Sequence, residues 1–367
     1  MAIDNPTTAR IDLGNVSHNI REIKKLTGAG VKFMAVVKAD AYGHGAVDLS
    51  RAIEGEVDYL SVSSVHEAVE LRRAGIKKPL LILSETSPAN SKHVVEHDLI
   101  QTVYTTKLAD AISREAYKAN KAVRVHFKVD TGMGRVGVQL SEAAEVFSSI
   151  ASLQNIKIEG IFTHLAKAEE KNGFTVEQLR RFKEVTLMLG RKNIILHAAN
   201  SAAAIYHRES HLDMVRIGLA MYGLYPPGGL KDGISLKPAL EFKTRVVYLK
   251  RVPAGTTLSY GSTYVTGRPT TIATIPAGYA DGLPRLLSGR GQVLIKGRRY
   301  PIVGRICMDM TLVDVQDSKI DIGDEAVMIG RSGSEELSAD DMASLAGTIS
   351  YEIICGIGKR VPRIYVK

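Results

Sequence analysis

Phe33 to Gly45 reads FMAVVKADAYGHG: five apolar residues, one lysine, then small residues and a histidine between two glycines. The apolar run has the length and β-branched content of a buried strand, and Gly43 with Gly45 marks the break that follows it. Lys38 therefore stands where a strand ends. An amine there either snorkels to water or is held against an apolar wall, where desolvation favours the neutral form and makes it a usable nucleophile. Tyr42, four residues on, and His44 put a ring and a titratable group beside it.

Outward from this stretch the same kind of run recurs, at 33–38, 58–63, 79–83, 100–104, 123–129, 157–163, 193–198 and 214–218. Amphipathic stretches such as Val65 to Ala74, Glu142 to Leu153 and Val176 to Leu189 lie between them, apolar at spacings of three and four. Eight strand–helix units are what a (β/α)8 barrel requires. The rival, a doubly wound open sheet, loses its main support because no G-x-G-x-x-G follows the first strand. Asp12 to Leu26 is expected to form an extra helix leading into the barrel.

After Tyr225-Pro226-Pro227-Gly228-Gly229 the pattern changes. Short runs at 242–249, 270–275, 292–295, 302–307, 311–315 and 325–329 alternate with Gly, Pro and Asp turns, and one clear helix is expected near Ala339 to Ala346. The expected fold is α/β, with an N-terminal TIM-like (β/α)8 barrel over 1–236 and a C-terminal mainly-β domain over 237–367.

Composition bounds the function. A chain of 367 residues is longer than one core usually supports, and 45% hydrophobic with 24% charged residues is ordinary for a globular protein. The net charge of +9 is scattered, without a basic block interleaved with aromatics. That argues against nucleic acid and leaves a general pull on anionic ligands. Two cysteines, Cys307 and Cys355, make no disulfide framework and fit a reducing compartment. The N-terminus is polar and no apolar run reaches about 18 residues, so neither a signal peptide nor a membrane span is expected. A cytoplasmic enzyme without a metal is the expectation.

Barrel active sites lie at the C-terminal ends of the strands. Lys38 ends the first run; Lys128 and Asp130 end the fifth, before Thr131-Gly132-Met133-Gly134-Arg135. His164 ends the sixth, Asn200 and Ser201 follow the seventh, and Arg216 with Gly218 ends the eighth. Singly, each has a plainer reading as a core histidine, a helix cap or a turn; jointly they define one mouth. The Ser201 hydroxyl opens a helix and suits a phosphate, and Gly218 lets backbone approach the same anion. Arg216 keeps its proton near neutral pH, so a pyridine nitrogen facing it would stay unprotonated. Arg135 offers a bidentate fork for a substrate carboxylate or a cofactor phenolate.

The lysine stretch matches the pattern KA(D/N)AYGHG and resembles the pyridoxal-phosphate lysine motif of the alanine racemase family. KVDTGMGRVG at 128–137, THLA at 163–166, HAANSAA at 197–203 and MVRIGLAMYG at 214–223 look like successive barrel blocks of that family. LSYGSTY at 258–264, IPAGYADG at 275–282, GRICMDM at 304–310 and SYEIICGIGKRVPRIY at 350–365 continue it through the second domain. The resemblance implies pyridoxal 5'-phosphate carried by Lys38, with Tyr42, His164, Asn200, Ser201, Arg216, Gly218, Leu219 and Tyr351 around it. It implies Tyr260 as the second base and Arg135, Met308 and Tyr279 at the substrate. It also implies that Lys128 can be carbamylated to orient Arg135, and that the second domain reaches into a partner's barrel in a homodimer with shared sites. Glu169 departs from the Asp that many members carry at the entryway.

The activity so implied is interconversion of L- and D-alanine for the bacterial cell wall. Two bases are needed because racemisation removes the α-proton from one face and returns it on the other. The alternatives are a related amino-acid racemase of broader or serine specificity, a decarboxylase of the same fold, and a non-catalytic pyridoxal-phosphate carrier. Arg216 and Tyr260 argue against the decarboxylase. Tyr260 and Tyr351, in a whole second domain, argue against the carrier.

Overall fold

The structure, a computed structural model, describes residues 5–170, 173–190, 193–227 and 233–367. It divides into two compact units: Asn15–Ala41 with Ala46–Lys237, and Met1–Gly14 with Tyr42–Gly45 and Pro238–Lys367. Of the Pro/Gly boundary signal, Gly228 and Gly229 lie outside the described residues.

Strand β1 (Thr8–Asp12) belongs to the second unit. The first is built on β2 (Lys32–Val36), β3 (Tyr59–Val62), β4 (Leu80–Ile82), β5 (Ile100–Val103), β6 (Val123–Lys128), β7 (Ile156–Phe162), β8 (Ile195–His197) and β9 (Met214–Ile217). All pair in parallel, in the order β8-β7-β6-β5-β4-β3-β2-β9. The ends meet where Asp213 N–H donates to Leu196 O at 3.1 Å and Arg216 N–H to Ala199 O at 3.0 Å. This is the expected (β/α)8 barrel. Its floor is apolar, a layer of Met34, Tyr59, Leu81, Ile100 and Met214. The strands read as near-continuous apolar runs because helices cover the outside while this layer fills the inside.

The crossover helices start where chemistry permits. Ser64 caps the helix Val65–Arg73 in a capping box with Glu67, and Thr105 caps Thr106–Lys118. The leading helix is Leu13–Thr27, close to the stretch expected.

The second unit is mainly β. In spatial order its main sheet runs Tyr248–Val252, Thr270–Ile275, Thr311–Gln316, Arg298–Val303, Gln292–Ile295, Glu325–Ser332, Leu240–Arg245, β1 and Arg363–Val366. All neighbours are antiparallel except β1 with Arg363–Val366.

Here the sequence expectations needed correction. The run 242–249 is two strands, broken at Val246 and Val247. The run 302–307 is the end of Arg298–Val303, since Gly304 at φ 67° turns the chain out of the sheet into a loop. A second helix, Ser350–Cys355, accompanies Ala339–Ala346. The first strand of the chain lies in this sheet rather than in the barrel, a pairing that local pattern cannot announce because its partners are more than two hundred residues away. Among the described residues no helix is long and apolar enough to cross a membrane.

Candidate active site

Lys38 lies two residues past the end of β2, and the four residues after it are left-handed: Ala39, Asp40, Ala41 and Tyr42 have φ of 52, 53, 53 and 54°. Without glycine each such residue costs about 1–2 kcal/mol, so a run of four persists only where its surroundings impose it. Ala41 N–H donates to Val37 O at 3.0 Å, and the Asp40 carboxylate accepts from Ala46 N–H at 2.7 Å.

Lys38 shares the barrel mouth with Lys128, Arg135, His164 and Arg216. Lys128 is buried over the Phe162 ring, its Nζ 5.3 Å from the centroid. Burial first, then the charges of Arg216 and Arg135, hold its amine down to about 8. Burial and the same cations, Lys38 among them, hold His164 down to about 3, so its imidazole is neutral. Burial lowers Arg216 to about 9, still above neutrality, so the guanidinium keeps its charge. Asp130 acts against these cations on Lys128, and its carboxylate accepts from the backbone N–H groups of Gly132, Met133 and Gly134 at 2.8–3.2 Å. That nest shapes the loop carrying Arg135.

Arg216 is only 4% exposed, and its acceptors are neutral: Thr163 O at 2.8 Å, Ala198 O at 2.9 Å, His197 Nδ1 at 2.9 Å and His164 Nδ1 at 3.4 Å. A guanidinium only donates, so both imidazoles accept through Nδ1 and carry hydrogen on Nε2. From His197 the bonding continues down the barrel, to His126 Nδ1 at 2.9 Å and from His126 Nε2 to Glu159 at 3.4 Å. Phe162 stacks on His197 at 8° and lies 5.2 Å from the Arg216 guanidinium. Gly160 makes room, since a Cβ there would sit 2.6 Å from the His126 ring. This column of His197, His126 and Glu159 was not among the residues singled out from sequence. Its signal was available: Arg124, His126 and Lys128 alternate along a strand whose other residues are apolar.

Ser201 opens the short helix Ser201–Tyr206, with Asn200 at its cap accepting from Ala203 N–H at 2.9 Å. The Ser201 hydroxyl accepts from the N–H groups of Gly218 at 3.0 Å and Ala220 at 3.3 Å, and Leu219 between them is buried. These bonds bring the Ser201 hydroxyl and the backbone of 218–220 to one spot of this mouth. Together with four cations, they form a donor set that fits a phosphorylated, carboxylate-bearing ligand.

The remaining predicted residues belong to the second unit. Tyr42 is buried 5.9 Å from Tyr351, ring to ring, and burial pushes its phenol well above the ordinary value. Tyr260 stands 70% exposed in a turn where Ser259 has φ 64° and the Ser259 hydroxyl donates to Arg305 O at 2.6 Å. Tyr279 N–H donates to Cys307 O at 3.0 Å, which joins the Tyr279 loop to the Met308 loop. Arg360 forks onto Asp281 at 2.7 and 2.9 Å and reaches Asp309 at 2.8 Å, locking the two loops together. The Met308 N–H makes no hydrogen bond among the described residues, which leaves it a donor for an anion.

Comparison with known proteins agrees with this geometry. Residues 11–226 match the family model for the alanine racemase N-terminal domain, and 239–365 that for the C-terminal domain. The chain is 48% identical over 369 residues to an alanine racemase of Halothermothrix orenii, covering 99% of this chain and 97% of the other. A solved alanine racemase of Clostridium difficile 630 superposes with a TM-score of 0.95 at 39% identity, covering 100% of this chain and 97% of that one. A crystal structure of alanine racemase from Bartonella henselae with covalently bound pyridoxal phosphate has a TM-score of 0.90 at 29% identity, covering 99% and 100%.

Proposed function

The chain belongs to the alanine racemase family, and on that premise we propose that it interconverts L- and D-alanine using pyridoxal 5'-phosphate bonded to Lys38. The observation that carries this is the cationic mouth, where Lys38, Lys128, Arg135 and Arg216 surround a neutral His164. When bound, the cofactor supplies an electron-withdrawing ring that acidifies the α C–H of an amino acid joined to it.

The roles of the chain's own groups follow. Ser201 and the amides of Gly218 and Leu219 hold the phosphate, with Asn200 fixing their helix and Tyr351 adding a hydroxyl. Tyr42 walls the pocket. Arg216 presents donors only, which keeps a ring nitrogen facing it unprotonated and limits side reactions. Arg135, oriented by Lys128, and the Met308 N–H take the substrate carboxylate, beside Tyr279. Lys38 moves the proton on one face and Tyr260 on the other. His164, forced by Arg216 to carry its hydrogen on Nε2, donates toward the tyrosine and stabilises its phenolate.

On this reading the barrel unit, Asn15–Ala41 with Ala46–Lys237, binds the cofactor, and the mainly-β unit contributes Tyr260 to the site of a second copy in a homodimer. We place the enzyme in the cytoplasm, supplying D-alanine for the cell wall. With purified protein, pyridoxal phosphate and L-alanine, D-alanine should accumulate to an equal mixture. Cofactor-loaded protein that forms none overturns the reading.

A further inference from the structure

The left-handed turn behind Lys38 needs an external cause. Of Ala39, Asp40, Ala41 and Tyr42 only Asp40 visits that conformation with any frequency, and the two alanines are good right-handed helix formers. Two charged side chains bracket the turn. At its start the Glu67 carboxylate accepts from Ala39 N–H at 2.7 Å through Oε1, while Oε2 accepts from Ser63 and Ser64 N–H at 2.7 and 3.1 Å. Glu67 is thereby fixed as part of a helix cap. At its end the Arg363 guanidinium donates to Gly43 O at 3.0 Å, and also to the carbonyls of Gly358, Val361 and Ile357 at 2.6, 2.7 and 2.7 Å. Four carbonyls around one planar fork leave it a single position. The Tyr365 hydroxyl donates to His44 O at 3.1 Å, and a Cβ on Gly43 would run into the Ile354 carbonyl.

We propose that Glu67 and Arg363 are positioning residues for Lys38. By taking the Ala39 N–H and serving the Gly43 carbonyl, they hold open a left-handed turn that the residues between them would otherwise leave. The inference rests on Lys38 being the cofactor lysine. It assigns a task in cofactor binding to an arginine 325 positions further along the chain. Lysine cannot substitute at 363, because an ammonium lacks the planar fork that meets four carbonyls at once.

The test uses full-length protein and Arg363→Met, Arg363→Lys and Glu67→Gln, each with and without Ala39→Gly. Glycine adopts the left-handed region freely, and position 39 is exposed, so this change opens no cavity. Two quantities are read. The first is amide hydrogen exchange across residues 38–45 in cofactor-free protein; the second is the dissociation constant for pyridoxal phosphate. Arg363→Met and Arg363→Lys should each speed exchange there and weaken cofactor binding at least tenfold, with Glu67→Gln acting in the same direction. Ala39→Gly should leave the parent protein within about twofold and recover several-fold in affinity in each pin variant. A merely structural arginine would give no such rescue. Exchange and affinity within twofold of the parent in the folded variants overturn the proposal. So does the absence of rescue by Ala39→Gly in the Glu67→Gln background, which keeps the test decisive if the arginine variants do not fold. Borohydride reduction of the parent with peptide mapping separates the two readings: a label away from Lys38 removes the premise, whereas a label on Lys38 with unchanged variants removes only the pins.

Discussion

His197 gives its Nε2 hydrogen to Nδ1 of His126 across 2.9 Å, an arrangement that admits neither ring as an imidazolium. Protonating His197 would turn its Nδ1 hydrogen against the Arg216 N–H, and protonating His126 would set two hydrogens face to face between the rings. Burial pushes both rings below the ordinary histidine value, and for His126 it outweighs the opposing pull of Glu159. The barrel interior therefore fixes the orientation of Arg216 through two neutral imidazoles ending on one carboxylate.

Nitrogen-15 NMR of the histidines should then show both rings as Nε2–H tautomers that do not titrate at the ordinary histidine value of about 6.5. His197→Phe should strand a buried guanidinium N–H, at a cost of about 1–3 kcal/mol in stability. It should also weaken cofactor binding, because Arg216 gains freedom. A titrating pair of rings would refute the column as drawn.

Stability should fall with acid more than its carboxylates alone would explain. His126, His164 and His197 have native pKa values below the unfolded value of about 6.5. Above that pH neither state binds these protons and they contribute no pH dependence. Below it the unfolded chain takes up three protons that the native state refuses, so stability is lost by up to about 4 kcal/mol per pH unit. For His164 the loss ends only near pH 3. Urea unfolding at pH 7.5 and 5.5 should give the lower free energy at 5.5; equal values would contradict the neutral assignments.

The barrel was legible because each of its strands is a nearly unbroken apolar run, and because polar residues collect only where those runs end. What could not be read has a common physical origin in distance. The Lys38 turn is set by Glu67, 28 residues on, and by Arg363, 320 residues past Gly43, while its own Ala-Asp-Ala-Tyr carries little left-handed signal beyond the aspartate. The Glu159 end of the histidine column was hidden by a register shift between Val125 and His126, which breaks the alternation that would have pointed Glu159 inward. In the second unit the apolar run through Ile306 and Cys307 imitated a strand, and only the backbone at Gly304 reveals the turn.

Lys128 should react with carbon dioxide. Burial and its cationic neighbours bring the amine to about 8, so about a quarter is the nucleophilic neutral form at pH 7.5. The carbamate would be an anion placed among Arg135 and Arg216, exchanging repulsion for attraction. A carbon-13 carbamate resonance should appear with labelled bicarbonate and vanish in Lys128→Ala, whose kcat/KM should fall at least tenfold. A resonance that survives in the variant would place the carbamate elsewhere.

Tyr260 and Lys38 should divide the two enantiomers between them. Tyr260 stands exposed on the second unit, and a phenol ordinarily titrates near 10. To act as a base near neutral pH it needs a donor such as the Nε2 hydrogen of a neutral His164, which Arg216 enforces by donating to Nδ1. If that donor belongs to a partner subunit, the phenol is competent only in the dimer. Tyr260→Phe should lose most racemisation in both directions while retaining the cofactor. In deuterium oxide it should still exchange the α-proton of D-alanine through Lys38, and hardly that of L-alanine. Mixing inactive Lys38→Ala with inactive Tyr260→Phe chains should restore activity, up to about one good site per mixed dimer. Equal loss of exchange from both enantiomers would end the two-base assignment, and verified mixed dimers without activity would end the shared site, since each would then hold one complete set of groups and still fail.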